Sequence, residues 1–329
     1  EKVCDFRDVP LFDGATNYPT ILFVSPEPES QVRNKNKIRC VRLKGDIDRN
    51  ESDLTEVVMD QVQRNESNPG HRGDYVHVFD YPQRDLDDGY WSFCPPEERE
   101  ILGKLRSKGE DRIKNITDAI FHGTQPGWNK VYIVTPVDAD RISSSDSGDT
   151  VTVVPRGGSQ EYEIETDLLR PWLQGRDVQR WRCEWTGQHV ILPYRIERVE
   201  DGVEVEVYSP DHLKSKLPKT WEYFKKHEQV LKDREGGMMA DRKDWYAFTY
   251  PKSHHRFEQP KIIGRQFSDH AQFMLDPDGD WYFKGAYGVQ LEHQYQDRTE
   301  EVSCQLNSKP LDFHFKHIAT QKQGGYYAY

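Results

Sequence analysis

Long apolar segments are missing from this sequence of 329 residues. No run approaches the length that crosses a bilayer, and no basic start is followed by the hydrophobic stretch of a secretory signal. We therefore expect no membrane-spanning segment and a cytoplasmic setting. The length exceeds that of an average domain, which predicts two compact units or one large irregular unit.

Cysteine is also scarce, with five widely separated residues. The odd number and the absence of any C-x-x-C pair argue against both a disulfide framework and a zinc knuckle. We therefore expect reduced thiols. The cysteines are Cys4, Cys40, Cys94, Cys183 and Cys304.

Aliphatic residues and positive charge are both in short supply. The hydrophobic fraction is 35%, yet 17 Tyr, 14 Phe and 8 Trp supply large apolar surfaces that disordered chains lack. The formal net charge is -11. Because an acidic chain repels DNA at long range, a nucleic-acid function requires a local basic face on an otherwise acidic protein.

Common catalytic motifs are absent from the sequence. It has no G-x-x-x-x-G-K-S/T phosphate loop, no H-E-x-x-H zinc helix and no G-x-S-x-G nucleophile elbow. His254 and His255 would point opposite ways on a strand, which disfavours a shared metal site. Asp276, Asp278 and Asp280 are spaced as in a calcium or nuclease loop, but a D-G hairpin turn between two strands explains them better.

The hydrophobic pattern predicts a mixture of helices and strands. Apolar runs at residues 3–6 and 20–25 predict a β-hairpin, which we expect to belong to a larger sheet whose remainder lies upstream. Strands are predicted in "PKIIGRQF" and "WYFKGAYGVQL". Helices are predicted at residues 54–64, in "CPPEEREILGKLRSKGED" up to Gly109, in "LPKTWEYFKKHEQVLKDRE", and at residues 302–319.

Residues 120–134, "IFHGTQPGWNKVYIV", place two glycines around a polar loop that leads into a strand. Glycine permits tight turns, and a loop held on a strand can present amide and ammonium donors to phosphates or base edges. An ordinary turn explains the same pattern, so this stretch alone does not indicate a function.

Residues 168–181, "LLRPWLQGRDVQRW", combine three arginines with two tryptophans. The planar fork of arginine binds phosphate or bridges guanine O6 and N7, which lysine cannot copy. In the alternative, Arg176 and Asp177 pair with neighbours and hold the loop. Residues 250–266, "YPKSHHRFEQPKIIGRQ", carry four Lys and Arg among few acids and supply a local basic region.

These three stretches resemble the TaqI-like specificity domain, the target-recognition region of class-gamma N6-adenine methyltransferases and their fused restriction enzymes. Residues 123–132 resemble G-x-x-T-G-x-N-x-x-F, with Pro126 where Thr is usual. Residues 168–181 match L-x-P-x-L-x-G-R-D-I-x-R-W almost fully. A P-K-I-I strand and an "LNS" helix follow in the family's order, and the resemblance spans nearly the whole chain, weakest from about 44 to 118.

The resemblance implies a bilobal enzyme of restriction-modification or phage defence. Its front lobe binds S-adenosylmethionine and flips an adenine out of the duplex, while this lobe closes over double-stranded DNA and selects the site. The family's N-P-P-Y is absent, because the only Asn-Pro pair, Asn68 and Pro69, is followed by Gly70. We therefore expect no methyl transfer and no cofactor in this chain alone, with the missing catalytic domain as its partner.

The resemblance also implies the fold class and one further residue. We expect an α+β fold, in which a mixed, mostly antiparallel target-recognition domain follows a β-hairpin remnant of a methyltransferase α/β domain. Residues 1–45 are assigned to that hairpin, residues 46–118 to a connecting helical segment and residues 119–329 to target recognition. Phe12 resembles the family's aromatic residue that stacks on the flipped base, although packing of the hairpin explains it equally well.

The leading hypothesis is sequence-specific recognition of double-stranded DNA for an adenine-N6 methyltransferase. Gln125 and Asn129 are the expected adenine readers, since an amide group serves adenine N6 and N7 together. The basic residues expected to contact DNA are Lys130, Arg176, Arg180, Arg256, Lys261 and Arg265. Two alternatives stay open, namely a metal-dependent nuclease using Asp276 or Asp278 and a protein-interaction scaffold in a phage-defence complex.

Overall fold

The computed structural model describes residues 1–6, 20–44, 54–86, 88, 91–109, 112–138, 142, 148–199, 202–322 and 325–329. The chain divides into two compact units. Unit 1 comprises Glu1–Arg112, Phe267–Ala271 and Ser308–Tyr329, and unit 2 comprises Ile113–Gln266 and Gln272–Asn307. The predicted boundary after residue 45 falls inside unit 1, and the assignment of residues 1–45 to a methyltransferase domain stays a prediction.

Strands occur in both units. In chain order they are β1 Lys2–Asp5, β2 Thr20–Phe23, β3 Lys37–Leu43, β4 Val76–Pro82, β5 Thr117–His122, β6 Ile133–Pro136, β7 Thr150–Pro155, β8 Tyr162–Glu165, β9 Leu169–Gln174, β10 His189–Ile191, β11 Tyr194–Val199, β12 Gly202–Val207, β13 Lys261–Arg265, β14 Phe267–Ser268, β15 Phe273–Asp276, β16 Tyr282–Lys284, β17 Ala286–Leu291, β18 Thr320–Lys322 and β19 Tyr326–Ala328.

Helices are short and are interspersed with the strands, so the expected α+β class is confirmed. In chain order they are α1 Ser30–Lys35, α2 Leu54–Asn65, α3 Pro96–Lys108, α4 Ile113–Ile116, α5 Asn129–Tyr132, α6 Pro210–Lys216, α7 Pro218–Lys226, α8 Glu228–Lys232, α9 Arg234–Gly237, α10 His254–Phe257, α11 Thr299–Leu306 and α12 Lys309–Ile318. None of the described helices is both long and apolar enough to cross a bilayer.

Unit 1 contains a four-stranded sheet in the order β2-β1-β3-β4. The predicted hairpin is confirmed, because β1 pairs antiparallel with β2, and β1 also pairs in parallel with β3. Buried Val3, Ile38, Cys40 and Phe79 form part of its core. The predicted helix α3 begins with a proline and acidic residues in its first turn and ends at Gly109.

Unit 2 contains two larger sheets. The first has the order β16-β9-β10-β6-β7-β8 and the second has the order β15-β13-β17-β5. All these neighbours pair antiparallel except β16 and β9, which pair in parallel. Trp172, Tyr132, Phe224 and Phe283 are fully buried in one core. The prediction of a mixed, mostly antiparallel recognition domain therefore agrees with unit 2.

Two long helices predicted from periodicity are each broken in the structure. The stretch at residues 217–235 divides into α7, α8 and α9, and the first break falls at His227, whose Nδ1 lies 2.9 Å from the carbonyl oxygen of Tyr223. In the stretch at residues 302–319, α11 ends before Asn307 and α12 begins after Ser308, whose side chain caps α12. Side-chain bonds to the backbone accompany the breaks at His227 and at Ser308.

Two further expectations are corrected. His254 and His255 lie on the short helix α10 rather than on a strand. A turn with Gly279 at φ +76° follows β15 as expected, but β15 pairs with β13 while β16 pairs with β9, so the D-G turn connects two sheets rather than closing a hairpin.

Candidate nucleic-acid interface

The arginine-rich segment of unit 2 forms β9 and a short 3-10 helix, Gly175–Asp177. Asp177 is buried, and its carboxylate accepts a hydrogen bond of 2.7 Å from the backbone N–H of Gln174. Arg176 lies between Gln174 and Asp177 in the chain, and 66% of its side chain is exposed. Its guanidinium is 3.8 Å from the Asp177 carboxylate. The buried aspartate therefore fixes the turn, and the arginine is presented to solvent.

Close backbone contacts hold this turn against the loop between β16 and β17. Gln174 and Lys284 are register partners in the parallel pair of β9 with β16. A Cβ atom on Gly175 would overlap the carbonyl oxygen of Gly285, and Gly285 itself has φ +70°. Glycine is required at residue 175 because the two chains approach too closely for a side chain.

The glycine-bracketed loop at residues 120–134 contacts the end of β16 and the start of β17. The backbone N–H of Gly123 donates to the carbonyl oxygen of Ala286 at 3.2 Å. A Cβ atom on Gly123 would overlap the carbonyl oxygen of Phe283. The stretches at residues 120–134 and 168–181 therefore converge on residues 283–286.

Gln272 ties two more arginines to this region. The backbone N–H of Arg180 lies 3.2 Å from the Gln272 side-chain oxygen, and the backbone N–H of Arg265 donates to the Gln272 carbonyl at 2.9 Å. Arg265 is also the register partner of Ala286. We name the backbone region that carries Arg176, Arg180, Arg265 and Lys284 the arginine junction.

Lys284 was not predicted from the sequence. Its side chain is exposed at the end of β16, and no described residue forms an ion pair with it. The only local signal is a lysine followed by a glycine between two strand-like runs. Its place in the arginine junction depends on the parallel pairing of β16 with β9, which local sequence does not reveal.

Lys261 does not lie on a DNA-facing surface, which corrects the expectation from sequence. Its side chain is fully buried beside Asp276, with an ion pair of 2.5 Å, and its ammonium also donates to the carbonyl of Phe257. Burial lowers the pKa of Lys261, and the Asp276 carboxylate opposes that shift. Asp276 further accepts backbone hydrogen bonds from Asp280 and Trp281 at 3.0 and 3.2 Å.

Arg256 is half-buried and is engaged inside unit 2. Its guanidinium lies 2.5 Å from the carboxylate of Asp118 and donates to the side-chain oxygen of Gln290 at 2.8 Å. Arg170 is likewise held, at 2.8 Å from the Glu258 carboxylate. These two arginines hold elements of the domain together, and neither is as open as Arg176.

The loop with the expected adenine readers is anchored by a buried arginine. Arg234 donates to the carbonyl of Pro126 at 3.0 Å and to the carbonyls of Trp245 and Ala247 at 2.7 and 2.9 Å. Gln125 is exposed and forms an isolated β-bridge with Tyr250. The structure therefore holds the backbone of this loop and leaves the Gln125 side chain in solvent.

Asn129 and Lys130 lie in the first turn of α5. Asn129 is half-buried, and Lys130 is exposed without an ion-pair partner among the described residues. Behind the loop, buried Thr124 shares a hydrogen bond of 2.8 Å with His254. Burial lowers the pKa of His254 to about 4, so this histidine is neutral near pH 7 and has a structural role.

Two expectations concern residues outside the arginine junction. Phe12 lies outside the described residues, so its role in base stacking stays a prediction. Nowhere in the described ranges do three His, Cys, Asp or Glu side chains come together in a way that suits a metal ion. The ion pair with Lys261 gives Asp276, the first aspartate of the nuclease alternative, a structural explanation.

Comparison with known proteins places the residues of the arginine junction in a family. Residues 170–329 match the TaqI-like C-terminal specificity domain. A curated relative, the type II methyltransferase M.BstVI of Geobacillus stearothermophilus, is 27% identical over 203 residues, which cover 59% of this chain and 28% of that protein. The match thus spans little more than a quarter of the relative, while the family span includes Arg176, Arg180, Arg265 and Lys284. Residues 170–329 of this chain belong to the TaqI-like C-terminal specificity domain family.

Proposed function

We propose that unit 2 reads a site in double-stranded DNA as the specificity region of an adenine-N6 DNA methyltransferase of a restriction-modification system. The observation that carries the proposal is the presentation of Arg176. A buried aspartate and a glycine contact fix its turn, while its guanidinium stays 66% exposed within the span of the specificity-domain family. A rigid backbone with an exposed arginine fork suits recognition of phosphate or guanine.

The acidic net charge is compatible with this role because nearby acids are used inside the domain. Asp177 binds the backbone of its own turn, Glu258 pairs with Arg170, and Asp276 pairs with buried Lys261. The exposed Arg176 and Lys284 are left to set the local potential. We therefore assign phosphate or base contacts to exposed Arg176 and Lys284 and to half-buried Arg180 and Arg265, with exposed Lys130 as a further phosphate contact.

Base reading is assigned to the loop that meets the arginine junction at residue 123. Gln125 has an exposed side-chain amide on an anchored backbone, which suits paired hydrogen bonds to adenine N6 and N7. Asn129 is the second amide of this loop and is half-buried. We place Gln125 before Asn129 as the adenine reader, because its side chain is the more open of the two.

Methyl transfer belongs to the part of the longer protein outside this chain. Asn68 and Pro69 lie in an exposed turn and are followed by Gly70, so they do not form the N-P-P-Y site of the family. S-adenosylmethionine would bind the catalytic domain of that longer protein and supply the methyl group. This chain supplies the choice of site, and its partners are the duplex and the catalytic domain.

Duplex binding by the purified chain tests the proposal. We expect association with duplex DNA in fluorescence anisotropy, with an affinity that falls steeply with salt because bound cations release counterions from DNA. Selection from a randomised duplex pool is expected to enrich a site that contains adenine, the base that an adenine-N6 enzyme must find. Absence of duplex binding at low salt, or enrichment of a site without adenine, contradicts the proposal.

A further inference from the structure

Trp181 has a backbone conformation that tryptophan rarely adopts. Its φ is +78°, and it lies in a tight turn in which Gln179 and Arg182 exchange backbone hydrogen bonds of 2.9 and 3.3 Å. The third residue of a type II turn needs such a positive φ and is usually Gly or Asn. A bulky residue at this position is strained, and strain of this kind is concentrated at functional sites.

Neither ring contacts nor hydrogen bonds explain the presence of the indole ring. The Trp181 side chain is 54% exposed, and no described residue forms a ring contact or a side-chain hydrogen bond with it. Trp185, four residues later, differs, because it contacts the ring of Trp281 edge-on at 5.3 Å and donates to the carbonyl of Gln188 at 2.9 Å. One tryptophan of this segment is therefore packed, and the other is presented.

The backbone that presents the ring is firmly held. The N–H of Trp181 donates to the carbonyl of Phe273 at 3.0 Å, and the N–H of Glu184 donates to the carbonyl of Asp177 at 2.7 Å. Val178 and Cys183 form an isolated antiparallel bridge across the base of the turn. A ring fixed in this way loses little conformational entropy when it binds a partner.

Cationic residues flank the ring on both sides. Half-buried Arg180 precedes it in the arginine junction, and Arg182 follows it with 75% of its side chain exposed and an ion pair of 3.2 Å to Glu184. Positive charge beside an exposed aromatic face is the combination that binds nucleic acid through phosphate contact and base stacking together.

We propose that Trp181 covers an exposed base face in the bound duplex, at a step where stacking has been interrupted. This inference rests on the proposed function and deepens it. A base that is to be modified must leave the stack, which exposes the faces of its neighbours to water. An aromatic ring held beside phosphate-binding arginines replaces the lost stacking contact.

Two duplexes of the same sequence, one fully paired and one with a single central abasic site, separate this role from general DNA affinity. We expect the unaltered chain to bind the interrupted duplex several-fold more tightly. Trp181→Gly is expected to weaken that binding by about 10-fold, as loss of one stacked base does, and to abolish the preference. The salt dependence should stay unchanged because no cation is removed.

Three further measurements keep the result interpretable. Trp181→Phe keeps an aromatic ring and should retain most of the preference. Trp91→Ala removes a tryptophan that is also 54% exposed, in unit 1, and should leave binding unchanged. Glycine accepts the positive φ, so Trp181→Gly should keep a cooperative thermal transition. If it does not, Trp181→Asn carries the test, because asparagine also tolerates a positive φ and has no aromatic ring.

The outcomes distinguish this inference from the function on which it rests. Equal affinity of the unaltered chain and of Trp181→Gly for both duplexes overturns the stacking role and leaves DNA recognition intact. Absence of any duplex binding by the unaltered chain overturns both. Loss of the preference in Trp181→Gly but not in Trp91→Ala supports the inference.

Discussion

Arg176 and Lys261 are basic residues of unit 2 that meet an aspartate in opposite ways. Arg176 is 66% exposed beside a buried Asp177, whose carboxylate binds backbone, whereas Lys261 and Asp276 are both buried, at 0% and 1%. The first pair leaves its cation exposed to a partner, and the second holds two strands together. A stretch rich in Lys and Arg is therefore not in itself a basic face.

The largest expected effect comes from breaking the buried pair. Lys261→Met should lower the free energy of unfolding by about 3–5 kcal/mol, because it leaves the Asp276 carboxylate buried without its partner. Chemical denaturation measures this change. Lys284→Met, the same substitution at an exposed position, should change stability by less than about 0.5 kcal/mol. Equal effects of the two substitutions would contradict the comparison.

The second prediction concerns the contact that fixes the Arg176 turn. Gly175→Ala should cost about 3 kcal/mol, since its Cβ overlaps the carbonyl of Gly285 and both backbones must shift. Gly103→Ala in helix α3 meets no atom within 4 Å and should raise stability by about 1 kcal/mol. Thermal melts that show equal tolerance of alanine at both glycines would contradict the close approach of the Gly175 and Gly285 backbones.

The third prediction is a dependence of stability on pH. Burial lowers the pKa of His254 to about 4, below its ordinary 6.5. Between these values the unfolded chain binds a proton that the folded chain excludes, so stability is fully present above 6.5 and is lost as the pH falls toward 4. The loss from His254 is about 2 kcal/mol at pH about 5.

Urea denaturation near neutral pH and near pH 5 measures this loss. His254→Gln removes the titrating group and should reduce the loss by about 2 kcal/mol. The remaining loss includes His189, because burial lowers the pKa of that histidine to about 4 as well. An identical pH profile in His254→Gln would mean that His254 is not excluded from water in the folded protein.

Local sequence was sufficient where the signal was local. The hairpin of β1 with β2 and the helix α3 follow from short apolar runs, a proline start and a glycine stop. The exposed arginine of the "GRD" turn was also expected. In these cases the residues that determine the structure are neighbours in the chain.

Local sequence failed where a distant residue decides. Lys261 is buried because β13 pairs with β15 in a register that places it opposite Asp276. The helix predicted at residues 302–319 breaks at Asn307. The Asn307 side chain donates to the Phe273 carbonyl at 2.9 Å and accepts from the Phe273 N–H at 3.0 Å. Hydrophobic periodicity contains no information about either partner, so neither outcome was predictable without the sheet topology.

The most direct test of the central claim compares two arginines in similar settings. Arg176 is 66% exposed and lies 3.8 Å from the carboxylate of the next residue, Asp177. Arg84 is 69% exposed and lies 3.7 Å from the carboxylate of the next residue, Asp85. Arg176→Ala should leave stability within about 0.5 kcal/mol and weaken duplex binding by about 10-fold with a shallower salt dependence, whereas Arg84→Ala should change neither. Equal duplex affinities for the two variants, measured by fluorescence anisotropy, would contradict the account.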